Sequence, residues 1–76
     1  MTTATALPDL PSCEVTGALI RLGFRISGES GGRILLASPA SGATCAVPNV
    51  DPVPARTIAA ILAGAHIDPA AFLENV

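Results

Sequence analysis

The stretch Arg33-Ile34-Leu35-Leu36-Ala37-Ser38-Pro39-Ala40-Ser41-Gly42-Ala43-Thr44-Cys45-Ala46-Val47 decides how this chain folds. Arg33 to Ser38 is an almost continuous apolar run of strand length, and Ala43, Cys45 and Val47 alternate with Thr44 and Ala46 as a strand does. Between them, Ser38 to Gly42 has the composition of a five-residue hairpin loop. Upstream, Phe24 and Ile26 alternate with Arg25 and Ser27 as a shorter strand, and Ser27 to Gly32 reads as a Gly/Ser-rich turn. Three consecutive strands on short loops predict an antiparallel meander.

Helical patterns flank it. Leu7-Pro8-Asp9-Leu10-Pro11 is too proline-rich to be regular, so residues 1–11 are expected to be a flexible N-terminal segment and residues 12–76 a single domain. Ser12 is placed to cap a helix whose apolar face is Val15, Ala18, Leu19 and Leu22, with Glu14 in its first turn, Arg21 in its last and Gly23 beyond its end. Pro48 to Pro54 holds three prolines in seven residues and reads as a stiff linker leaving the sheet. Ile58, Ile61, Leu62 and Ala65 give a second helix over 55–65, and His66 falls at its C-cap. Asp68-Pro69 then reads as an N-cap with proline at the first helical position, opening a last turn with Phe72 and Leu73. The predicted class is α+β in the order αβββα, two helices covering one face of a three-stranded antiparallel sheet, with a short C-terminal helix.

Composition narrows the functions. The 76 residues carry four arginines, no lysine and six acids, a net charge of -2, with two phenylalanines as the only aromatic residues. Strong nonspecific binding to nucleic acid normally needs a basic surface, and single strands are usually held by stacking on aromatic rings; both are scarce here. Cys13 and Cys45 lack the spacing and partner ligands of a structural metal site and read as free thiols. The N-terminus lacks the charged start and apolar core of a signal peptide, and no run reaches the roughly 18 apolar residues of a membrane span. A cytoplasmic protein without membrane contact, metal or cofactor is the expectation.

Few residues invite chemistry. Ser27, Ser30 and Ser41 are loop serines without a neighbouring base, and Asp51, Asp68 and Glu74 are scattered, two of them beside prolines. The Gly-rich Ser27–Gly32 stretch lacks the lysine and following helix of a phosphate-binding loop. Arg33 follows two glycines and, if it approached Arg25 across the hairpin, would make a small cationic spot for a phosphate or an acidic side chain; the plainer reading is a solvated arginine on a strand edge. His66 is read as a helix cap, since histidine tolerates the left-handed backbone and suits the negative end of the helix dipole.

In order along the chain, Leu7-Pro8, the helix ending in Leu22-Gly23-Phe24, Pro39 in the hairpin, Val47-Pro48, and Thr57-Ile58-Ala59-Ala60-Ile61-Leu62 followed by Ile67 and Phe72-Leu73 resemble the HicA (YcfA-like) family of toxins. The likeness runs from Leu7 onward with few or no gaps. It implies a fold similar to the double-stranded-RNA-binding domain and a toxin that cleaves messenger RNA, inhibited by a HicB-like antitoxin that covers the catalytic histidine. That histidine belongs to a Gly-Ser-His motif opening the second strand, where an imidazole can move the proton of a ribose hydroxyl.

The departures carry as much as the likeness. Gly31 matches the motif's glycine, but Gly32 stands for its serine and Arg33 for its histidine. A guanidinium stays protonated at ordinary pH and cannot act as a general base. Val50 stands where a second family histidine is frequent, Arg56 where glycine precedes the helix threonine, and Ala59 and Ala63 where basic residues are common. The expectation is a HicA-like protein without mRNA interferase activity that binds an antitoxin-like partner and, weakly, RNA. Its candidate RNA- or partner-binding residues are Arg25, Ser30, Gly31, Gly32, Arg33, Arg56 and Thr57, none of them catalytic. The rival readings are an active interferase using a noncanonical residue and a stand-alone interaction module, with a homodimer conceivable through the small helix residues Ala59, Ala60 and Ala63.

Overall fold

The computed structural model describes residues 7–76. Its elements run α1 (Ser12–Arg21), β1 (Arg25–Ser30), β2 (Arg33–Ala37), β3 (Thr44–Pro48), α2 (Ala55–Gly64) and α3 (Pro69–Leu73). The three strands form one antiparallel sheet in the order β1-β2-β3. The α+β class and the meander are those the sequence predicts.

Ladder register assigns each strand residue to a face. Ile34 lies opposite Val47 and Leu36 opposite Cys45, and all four join the core formed with α1 and α2. Val15, Leu19, Leu36, Val47, Val53, Ile58, Leu62 and Phe72 are its large, fully buried side chains. With only two phenylalanines in the chain, aliphatic burial at about 25 cal/mol per Å² is the main stabilising term. Arg33, Leu35, Ala37, Thr44, Ala46 and Pro48 alternate onto the opposite face of the sheet.

Both long helices end in the same way. At α1 the Phe24 N–H bonds the Leu19 carbonyl and the Gly23 N–H that of Ile20, with Gly23 at φ 101°. At α2 the Ile67 N–H bonds Leu62 and the His66 N–H bonds Ala63, with His66 at φ 58°. These paired bonds around a left-handed residue are the Schellman arrangement, and they bear out both the glycine stop and the capping role of His66. Asp68 likewise caps α3, accepting from the Ala70 N–H at 3.2 Å.

At the N-terminus the expected capping role of Ser12 needs correction. Residues 1–6 of the segment expected to be flexible lie outside the described residues. Residues 7–11 are tied into the fold, because Leu10 forms an isolated antiparallel bridge with Val53 and both Leu7 and Leu10 pack on the core. Ser12 does not cap α1; it is the first helical residue, Pro11 holds the cap position, and the Ser12 hydroxyl reaches Asn49 Oδ1 at 3.2 Å. The rigid φ of proline suits an extended residue immediately before a helix.

The largest difference is in β1. The strand continues to Ser30, so the six-residue turn expected over Ser27–Gly32 shrinks to Gly31-Gly32, at φ 59° and 78°. Two successive positive φ values are what a tight two-residue hairpin requires, and glycine supplies them without Cβ strain. Register shifts between Ile26 and Gly28, making Ser27 the extra residue of a β-bulge.

Candidate partner-binding groove

β3 is a sheet edge, and α2 runs beside it. Between them opens a groove of about 350 Å³. Its strand side is Thr44, Cys45, Ala46 and Pro48, its helix side is Thr57, Ala60, Ile61 and Gly64, and Arg33 lines it as well. The small residues Ala60 and Gly64 create the space, since larger side chains there would fill it. Arg33 sits on β2, directly across the ladder from Pro48, so its long side chain reaches the groove over the end of β3.

The backbone of β3 is open on this side at two residues. The Ser38 N–H donates to Ala43 O and the Asn49 N–H to Gly32 O, each at 2.8 Å. Hydrogen-bonded pairs alternate along an antiparallel ladder, so Leu36–Cys45 and Ile34–Val47 are the bonded pairs in between. Thr44 and Ala46 therefore turn their N–H and C=O groups away from β2, toward the open edge. Pro48 has no N–H, and its carbonyl already accepts from Val50 at 2.9 Å. Proline at the end of an edge strand limits how far another strand could pair.

The seven candidate residues do not converge on one spot. Arg33 and Thr57 share the groove, Ser30 lies opposite Arg33 across the β1–β2 hairpin, and Gly31 and Gly32 form its turn. Arg56 is exposed on the first turn of α2, next to Thr57. Arg25 is the exception. It pairs with Ala37, four residues along β2 from Arg33, a separation of about 13 Å at strand rise. The cationic spot imagined from a shared hairpin does not form, because the two arginines occupy opposite ends of it.

His66 stands at the other end of the groove strand. With Ser41, Gly42, Ala43 and Thr44 it lines a separate hollow. Thr44 is four residues from Pro48, so the imidazole belongs to the end of β3 remote from Arg33. The hollow does bring Ser41 and His66 together, which sequence distance concealed, but Ser41 Oγ accepts from the Ala43 N–H at 3.2 Å as part of the turn. Cys45 faces the groove floor, and burial pushes its thiol above the ordinary value, which favours the neutral form. Cys13 is exposed on α1.

Among the described residues no three His, Cys, Asp or Glu side chains gather as a metal site would need, and no helix is long and apolar enough to cross a membrane. Comparison of the chain with family models, curated proteins and solved structures gives no match.

Proposed function

We propose that this protein is a HicA-like member of a toxin-antitoxin pair, with the double-stranded-RNA-binding-domain-like layout and without mRNA interferase activity. It works in the cytoplasm by binding an antitoxin-like protein, with at most weak affinity for RNA. The observation that carries this reading is the position of Arg33. It is the first residue of β2, immediately after the Gly31-Gly32 turn, at the mouth of the groove where the resemblance asks for the catalytic histidine. A permanently protonated side chain there can hold an anion but cannot accept the proton of a ribose hydroxyl. His66 offers no substitute, since it caps α2 at the far end of β3.

The test is expression of the chain alone, with growth and RNA integrity followed over time. The expected result is unimpaired growth and intact RNA, with toxicity gained when Arg33→His and Gly32→Ser are introduced together. Growth arrest with RNA cleavage that disappears on Arg33→Ala would overturn the reading. A HicB-like protein encoded beside this one is expected to co-purify with it.

A further inference from the structure

The groove has the parts of a strand-acceptor site. A free strand edge faces a helix, small residues on that helix keep the space between them open, and a cation stands at one end. Extended peptides bind such sites by adding a strand: main-chain hydrogen bonds supply affinity and alternate side chains supply specificity. We propose that the β3 edge accepts an extended segment of the partner protein, which pairs with Thr44 and Ala46, seats a small aliphatic side chain against Ala60 and Gly64, and presents a carboxylate side chain to Arg33. This rests on the partner-binding reading of the same site and deepens it by naming what the partner contributes.

Three features of the molecule fix the occupant. Outward N–H and C=O groups of Thr44 and Ala46 offer four main-chain bonds and no more, because Pro48 ends the series. That suits a short extended stretch rather than a long strand. Space is the second feature: the groove holds about 350 Å³ between β3 and α2, with the small residues Ala60 and Gly64 on its helix side, which suits a single extended segment with small side chains. Charge supplies the third feature. No acidic side chain lines the groove, and the two cations at its Pro48 end, Arg33 lining it and Arg56 exposed one residue before Thr57, are left for an anionic group. A guanidinium binds a carboxylate with paired, charge-assisted bonds, and it does so best where water is partly excluded.

The experiment is a titration of the full, isotopically labelled chain with capped seven-residue peptides, followed by amide NMR. The peptides alternate threonine and valine and carry one glutamate at either end; the controls carry glutamine there. The expected result is shift changes centred on Thr44, Ala46, Ala60 and Gly64, slowed hydrogen exchange at the Thr44 and Ala46 amides, and at least tenfold weaker binding for the glutamine peptide or for Arg33→Gln. Ala46→Pro removes an outward N–H without touching the ladder and is expected to abolish binding, its fold being read from the same spectra. Should that variant unfold, Ala60→Leu, which fills the groove from the helix side, replaces it with the same expectation.

Absence of any shift at millimolar peptide, changes confined to β1 or the outer sheet face, or equal affinity of the two peptides would each overturn the proposal. So would a concentration-dependent dimer that protects the same two amides without peptide, or an RNA hairpin that competes for them with steep salt dependence. If the antitoxin-like protein binds while Thr44 and Ala46 exchange as in the free chain, strand addition fails and the partner-binding reading stands.

Discussion

Asp9 accepts a hydrogen bond from the backbone N–H of Ala55 at 2.8 Å, capping α2 from forty-six positions away in the chain. The N-cap residue itself is Pro54, which has no side-chain acceptor. Asp9→Ala should therefore cost about 1 kcal/mol of stability, the usual worth of a cap, while Asp9→Asn keeps an acceptor oxygen and loses less. Urea denaturation of the two variants checks this. Equal stability of Asp9→Ala and the parent would show that the bond contributes nothing in water.

His66→Gly should stabilise the protein by about 1 kcal/mol, because the residue sits at φ 58° at the end of α2 and glycine adopts that backbone without a Cβ penalty. The same Schellman bonds at α1 already use Gly23. A lower denaturation midpoint for the glycine variant would mean that the imidazole makes a contact worth more than the strain.

Placing serine at position 32 carries a conformational cost that the sequence does not reveal. Gly32 is at φ 78°, although a Cβ added there would meet no atom within 4 Å. Gly32→Ser is thus expected to lose about 1–2 kcal/mol through backbone strain alone, whereas Gly31→Asn, at φ 59°, should be close to neutral, since asparagine favours such turns. Thermal unfolding of the two single variants separates them, and equal losses would argue against strain as the cause.

Thiol chemistry should distinguish the two cysteines. Exposed Cys13 is expected to react with a maleimide well before Cys45, whose thiolate is disfavoured by burial against the groove. A thiol whose pKa is raised in the folded state leaves stability unchanged below the ordinary thiol value and lowers it as pH rises beyond that value through the folded one. Stability of the parent should therefore fall in that alkaline window more than that of Cys45→Ala. Equal labelling rates, read by mass spectrometry in the folded state, would contradict the burial argument.

The fold was legible wherever one face of an element is buried. The α1 face through Val15, Ala18 and Leu19, the α2 face through Ile58, Ile61 and Leu62, and the two strands on either side of the Ser38–Gly42 loop carry their period in apolar residues. β1 was half missed for the converse reason. Phe24 and Ile26 alternate with Arg25 and Ser27 at its start, but Glu29 and Ser30 are exposed and carry no apolar period, and the bulge at Ser27 breaks the phase. The roles of Asp9 and Leu10 were illegible because their partners, Ala55 and Val53, are more than forty residues away. At the candidate site, Arg33 and Thr57 were singled out from the resemblance, but the groove between them was not, since the space depends on Ala60 and Gly64 being small in the folded arrangement. The separation of Arg25 from Arg33 follows directly from the length of β1, the element read least well.

The bulge has a consequence for assembly. It twists and interrupts the β1 edge, which makes that side a poor template for another strand, while β3 offers two paired residues and then stops at Pro48. If β3 takes a partner's strand as proposed, the bulged β1 side does not offer the same continuation. Pairing at one edge favours a closed complex over a filament, so a mutation that straightens β1 is expected to raise the tendency to self-associate.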